Sequence, residues 1–201
     1  MSELVVGRLL RSDTTGCTIG CRVEQTGSPA FGDLLRIPLD DGSQVFGLVY
    51  DIHIEDDGLV RQLVTSSEVS EEIIEDNRHN RNVPVEMSLV FIGWEREAGI
   101  RHTRVPRPPL TLDKVYACGA EDMLRFVTNG RFGYLRPLLR SQELPAADLL
   151  TAHLRQVLAA ANDAFLDERI DTLLLEVIAL LKDDYPQLMD VLSAISETLT
   201  D

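Results

Sequence analysis

The sequence predicts a multi-part α+β chain, with a small closed β-barrel at the N-terminus followed by an antiparallel α-helical bundle. Three observations carry this expectation. Short apolar or alternating runs, separated by turn clusters, recur through residue 95. A segment rich in proline and arginine then breaks every period. From Pro145 onward, apolar residues recur at the three- and four-residue spacing of a helix with a buried side. The division is a barrel over 1–95, a Pro/Arg-rich connector over 96–119, and a helical region over 120–201 with a three-helix bundle from about 145.

The elements follow in order. Residues 4–11 form an apolar run that stops at the turn cluster Ser12-Asp13-Thr14-Thr15-Gly16. Residues 17–23 alternate at strand period, with Cys17 and Cys21 on one face, directed into a packed barrel interior. Gly27-Ser28-Pro29 is a breaker. Residues 33–39 lead into Asp40-Asp41-Gly42, a hairpin turn. Residues 44–54 form a longer strand, and Gly47 inside it signals a bulge or a tight barrel bend. A short helix over 68–81 interrupts the β pattern, capped by Ser67 or Ser70 and anchored by Ile73 and Ile74, with the tip 77–82 as a loop. Residues 88–94 form a central strand, apolar on both faces, with Leu89, Phe91 and Gly93 on one and Val90, Ile92 and Trp94 on the other. Short strands with glycine bends suit a closed barrel, which leaves no unpaired edge.

Pro106, Pro108 and Pro109 fix φ and remove amide donors, so 101–109 is extended and marks the barrel's exit. Residues 120–128 form a helix with Met123, Leu124 and Val127 as its apolar stripe, closed by Asn129-Gly130. A helix from Pro145 carries Leu149, Leu150, Leu154, Val157, Leu158 and Ala161, and ends near Asn162-Asp163. A second helix, 167–182, is apolar around most of its circumference and must be covered on more than one side. A third starts near Pro186 with Leu188, Met189, Val191, Leu192, Ile195 and Leu199 inward. Short links favour antiparallel neighbours.

With 201 residues, 44% hydrophobic and 26% charged, the chain has ample material for a core. Its formal net charge of −14 is unevenly distributed. Residues 1–95 hold 17 acidic and 7 basic groups, net −10; 96–140 hold 4 and 9, net +5; 141–201 hold 12 and 3, net −9. The two acidic ends exclude a general nucleic-acid coat or a binder of anionic membranes, since both need clustered positive charge. No apolar run approaches the roughly eighteen residues of a membrane helix. The N-terminus lacks the charged and apolar regions of a secretory signal, so a cytoplasmic location is expected.

Most catalytic signatures are missing. Neither lysine follows a glycine, so no P-loop forms, and GxGxxG, GxSxG and HExxH are absent. Cys17, Cys21 and Cys118 make an odd count without a CxxC pair and read as reduced, partly buried thiols. His53, His79, His102 and His153 are scattered and read as solvated surface residues. Asp51, Glu55, Asp56 and Asp57, with Asp40 and Asp41 earlier, could offer oxygen ligands to a hard cation, but EF-hand spacing is lacking and a solvated hairpin end explains them. No cofactor is expected. Arg96, Arg101, Arg104 and Arg107, joined by His102, leave three readings open: contact with nucleic-acid phosphate, docking on an acidic protein surface, or solvated cations. Aromatics that would stack single-stranded bases are not interleaved with them, so direct nucleic-acid binding is not expected.

In this order, several short motifs carry a resemblance. They are Val6-Gly7-Arg8-Leu9 with Thr14-Thr15, then Gly32-Asp33-Leu34-Leu35-Arg36-Ile37, then Val45-Phe46-Gly47-Leu48-Val49-Tyr50-Asp51-Ile52. Val83-Pro84-Val85 leads into Ser88-Leu89-Val90-Phe91-Ile92-Gly93, and Arg104-Val105-Pro106-Arg107-Pro108-Pro109 forms the exit. Across roughly residues 3–118 the chain resembles the HAS-barrel family, the N-terminal barrel of HerA-type DNA translocases, related to the N-terminal barrels of rotary ATP synthases. In the translocases a P-loop motor follows; here the barrel is followed by acidic, helical residues, so hydrolysis and translocation do not carry over. The resemblance implies a non-catalytic accessory role: self-association, or assembly with a HerA-type ATPase and a NurA-type nuclease in DNA-end processing. The alternative expectation is a metal-binding module or enzyme using the acidic loops. The expected interaction surface combines Arg101, Arg104 and Arg107 with Leu173, Leu174, Val177 and Leu181 of the broadly apolar helix.

Overall fold

The computed structural model describes residues 5–21, 29–55, 58–66, 69–79, 84–139, 141, 144–161 and 163–200. The expected breaker at Gly27-Ser28, the cap Ser67, Asp56-Asp57, the loop tip 80–82, Val83 and Asn162 lie outside the described residues.

The barrel strands are β1 (Val5–Ser12), β2 (Gly16–Cys21), β3 (Leu34–Pro38), β4 (Gln44–Ile54) and β5 (Val85–Arg96), followed by β6 (Gly99–Arg101) and β7 (Lys114–Ala117). The order β2-β1-β7-β3-β4-β5, with β2 paired back to β5, closes a six-stranded antiparallel barrel. One edge of β5 serves two strands in succession: Val85–Val90 pair with β2, and Trp94–Arg96 pair with β6, which lies outside the ring. Close approach at the closure requires a residue without a side chain. A Cβ on Gly16 would sit 2.3 Å from the carbonyl oxygen of Leu89.

The position of β7 corrects the expected extent of the connector. The segment 96–119 contains the strand that joins β1 to β3, so the barrel draws its last stave from beyond the proline run. Only Val115 of this four-residue strand is fully buried, which left a period too short to recognise.

Strand alternation divides the apolar residues into two cores. Val6, Leu9, Cys17, Ile19, Cys21, Val45, Met87, Leu89 and Val115 fill the barrel, as expected for the two cysteines. Leu34, Phe46, Leu48 and Ile92 face outward and share a second core with the helices. The pairing of Phe46 with Gly93 and Gly47 with Phe91 leaves Ile92 as an extra residue, the bulge that Gly47 signalled. This shifts the phase of β5 beyond it. Gly93 turns out toward the helices and Trp94 packs against the barrel's own core, reversing the faces expected for these two residues.

The helices are α1 (Leu59–Thr65), α2 (Glu71–His79), α3 (Ala120–Thr128), α4 (Leu135–Leu139), α5 (Ala146–Ala160), α6 (Asp163–Leu181) and α7 (Tyr185–Thr200). The patterns missed α1, α4 and β6, each too short to show a period. The tip read as a loop begins as helix, since α2 runs through His79. In α3 the buried stripe is Met123, Phe126 and Val127, with Phe126 in the place expected for Leu124.

Several helices lie C-terminal to the barrel, and they do not enclose a core of their own. Leu149, Leu150, Leu154 and Val157 of α5, Leu173, Val177 and Leu181 of α6, and Val191 and Ile195 of α7 are continuous with the barrel's outer wall. Helix α5 packs on α3 and α7, while α6 packs on α7 and α4. Among the described residues no helix is long and apolar enough to cross a membrane.

The joint between the layers is aromatic. The Phe126 ring lies 4.7 Å from Phe46 and 4.8 Å from His102, over the backbone of Gly93, where a Cβ would come within 3.1 Å of it. Replacing Phe126 by Ala removes a fully buried ring at this joint. Phe126→Ala is expected to lower unfolding free energy by about 3–5 kcal/mol, measured by urea denaturation.

Candidate functional site

Two places bring polar or chargeable groups together with apolar surface. The first is the mouth of the barrel beneath the proline segment. Val105 and Pro109 dip inward from that segment and are buried, while Arg104, Pro106, Arg107 and Pro108 stay exposed. Ser12 Oγ donates to the Pro109 carbonyl at 2.6 Å, and the amide of Leu112 donates to the Leu9 carbonyl at 2.8 Å, fastening the segment to β1. Leu112 holds φ of 72°, a left-handed conformation uncommon for a leucine, and its side chain is 63% exposed. The fastening bonds maintain that conformation, including one from Arg8 Nη1 to the Leu112 carbonyl at 2.9 Å.

Between this segment and the β3–β4 hairpin lies a cleft of about 460 Å³. Its apolar lining comes from Leu39, Val45, Trp94, Pro106, Pro108, Pro109 and Leu110, and its charged groups are Asp40, Asp41, Asp113, Arg96 and Arg107. Arg96 pairs with Asp41 at 2.6 Å. The Asp41 carboxyl is held below its ordinary range, first by the Ser43 hydroxyl and amide and then by Arg96. Asp113 accepts the Leu110 amide at 2.7 Å. Trp94 donates Nε1–H to Thr103 Oγ1 at 3.1 Å, and the Arg101 guanidinium lies 5.7 Å from its ring centroid. Of the three candidate arginines Arg107 lines the cleft, Arg101 lies against the Trp94 ring, and exposed Arg104 acts on Asp13, so they are not gathered at one point.

The four apolar candidates do not form a surface. Leu173, Val177 and Leu181 are at most 4% exposed and face this chain's own second core, with Leu174 packed at its edge. The exposed large apolar residues of the helical layer are different ones: Leu175 and Ile178 on α6, and Tyr185 and Met189 on α7, are between 42% and 69% exposed, which corrects the inward position expected for Met189. The apolar circumference called for cover on more than one side of α6; within this chain one side is covered, and Leu175 and Ile178 stay exposed.

The second place is the aromatic joint, where the expectation of solvated histidines is corrected. His53 is exposed, 3.8 Å from Glu55. His102 and His153 are not. His102 Nε2 bonds the Phe126 carbonyl at 3.2 Å. His153, fully buried, bonds the Gly32 carbonyl through Nδ1 at 3.3 Å and meets the Tyr134 ring edge-on at 5.6 Å. Gly130, Arg131 and Phe132 all take positive φ in the turn after α3, which brings Tyr134 into this cluster. His153 had a signal: it falls on the stripe of Leu149, Leu150, Leu154 and Val157.

Burial makes these groups inert near neutral pH. It pushes the thiols of Cys17 and Cys118 up to about 12 and that of Cys21 up to about 11, which keeps them protonated. It lowers His153 to about 4 and raises Tyr134. Among the described residues no group of three His, Cys, Asp or Glu side chains is arranged to hold a metal ion.

No protein-family model matches the chain, and none of the curated proteins compared with it is similar.

The joint sets an acid response. The unfolded chain binds a proton at His153 near pH 6.5, whereas the folded chain binds it only near pH 4. Stability from this residue is present above pH 6.5 and is lost as pH falls toward 4. His102, also lowered by burial, adds the same sign; Asp33, raised by burial, acts oppositely at lower pH. Urea midpoints of the wild type should drop across this window by the equivalent of at least about 1 kcal/mol, and His153→Gln should flatten the drop.

Proposed function

We propose that this protein is a non-catalytic HAS-barrel accessory subunit, an adaptor that assembles with itself or with a HerA-type translocase and NurA-type nuclease in DNA-end processing. The observation that carries the reading is the exposure of four large apolar side chains on α6 and α7, Leu175, Ile178, Tyr185 and Met189. Four large apolar side chains left in water on two consecutive helices suit a surface that another protein covers. The chemistry inside the chain agrees, since Cys17, Cys21, His153 and Tyr134 are withdrawn into packed cores and Cys118 packs against one. The order of the barrel motifs supports the family context, and exposed Arg101, Arg104 and Arg107 offer cations for docking on an acidic protein surface.

The test uses the full-length chain, alone and with the purified translocase and nuclease of its source organism, followed by sedimentation velocity. A complex, with itself or with either enzyme, is expected. Ile178→Arg combined with Met189→Glu should weaken it at least about tenfold without changing the circular dichroism spectrum. A chain that stays monomeric and binds neither enzyme overturns the reading.

A further inference from the structure

Helix α6 has two opposite sides. Leu173, Val177 and Leu181 are at most 4% exposed and meet this chain's own second core. About half a turn away run Asp171, Leu175, Ile178 and Lys182, all exposed, with exposed Ala179 beside them. Spacings of 4, 3 and 4 residues keep the first four within a strip about 60° wide, at about 100° per residue. Lys182 directly follows Leu181, the last helical residue, and continues the strip. Leu175 is 67% and Ile178 43% exposed, so the strip is apolar at its centre and oppositely charged at its two ends.

Nothing within the chain claims these two charges. Among the described residues neither Asp171 nor Lys182 takes part in an ion pair. The nearby carboxylates are placed elsewhere. Glu176 pairs with Arg136 at 3.1 Å. The Asp184 amide donates to the Leu181 carbonyl at 2.9 Å, closing the turn that leads into α7, and Asp184 Oδ1 accepts the Gln187 amide at 3.2 Å. Lys182 is therefore the last side chain on the strip. One anion and one cation make the strip neutral, on a stretch of 12 acidic and 3 basic groups. Repulsion between the acidic remainders of two copies is screened beyond roughly 8 Å at physiological salt.

The strip is complementary to itself. Its midpoint falls between positions 176 and 177: Leu175 and Ile178 lie equally far from it on either side, and so do Asp171 and Lys182. We propose that two copies of the chain associate through this strip, with their α6 helices antiparallel across a twofold axis at that midpoint. This rests on the adaptor reading and names its partner as the chain itself. Leu175 of each copy meets Ile178 of the other, and Asp171 of each meets Lys182 of the other, so two equivalent charge pairs flank the apolar contact. They stand about 16 Å apart, the length of eleven helical residues. A parallel arrangement would set Asp171 against Asp171 and forfeit both pairs. The small side chain of Ala179 lets the helix axes approach closely. Such a contact uses the same patch on both copies, so association stops at the dimer.

The experiment is sedimentation velocity of the full chain at physiological salt across the micromolar range. The wild type should form a reversible dimer and nothing larger. Asp171→Lys and Lys182→Asp, both at exposed positions, each set like charges against one another at both ends of the contact. Each should raise the dissociation constant at least about tenfold with an unchanged circular dichroism spectrum. Mixing the two variants is decisive. One brings two cations and the other two anions, so the mixture should dimerise as the wild type does, and so should the chain carrying both substitutions. Leu175→Ala combined with Ile178→Ala should leave a monomer. A monomeric wild type, single charge variants that dimerise unchanged, or a mixture that stays monomeric would overturn the inference. A monomer that still binds the translocase or nuclease overturns it while leaving the adaptor reading in place.

Discussion

Phe126 lies on the barrel wall at the point where Gly93 has no side chain, and the attachment of the helical layer depends on that contact. The bulge at Ile92 makes it possible. By adding one residue to β5 it turns Gly93 outward beside Phe46, opening a flat place on an otherwise filled wall. His102 and Tyr134 close around the ring, and His153 of α5 packs on Tyr134. The joint thus ties β4, β5, the segment after β6, α3, the turn before α4 and α5 into one core. Arg125 of α3 pairs with Glu95 of β5 across the two layers, and Arg136 of α4 pairs with Glu176 of α6 within the helical layer at 3.1 Å.

The barrel's closure has a parallel logic. Strand β7 completes the ring only after the chain has crossed the mouth as a proline-rich segment. Prolines lack amide donors, so the crossing leaves few backbone donors to satisfy over an apolar interior. Val105 and Pro109 fill the opening, and the exposed arginines and Leu110 remain around the cleft. The same stretch that seals the core therefore forms one wall of the cleft. Cys17, Cys21, His153 and Tyr134 lie in the cores, and the charged groups around the cleft stay at the surface.

The residues of the candidate site were legible in unequal degree. The exposed arginines were recognisable because their spacing among prolines leaves them nowhere to be buried. Leu173, Val177 and Leu181 misled, because a helix with apolar residues around most of its circumference does not state which side meets its own chain. Residue type alone hides the burial of His153, whereas its place on the α5 stripe puts it in the core. Trp94 was assigned to the wrong face because a bulge inverts strand alternation without altering the local composition.

The sequence by itself determined the local elements. Strand period, turn residues such as Asp41-Gly42 and the 3,4 spacing of the late helices depend on neighbours a few residues away. The limits of β4 and α3 followed from that local information alone. The tertiary structure decided the closure of the ring by β2 on β5, the recruitment of Lys114–Ala117 as a stave, and the sharing of one core between helices and barrel wall. Those outcomes depend on contacts between residues as distant in sequence as Gly32 and His153. Periodicity indicates that a face must be covered, and only the packed chain decides what covers it.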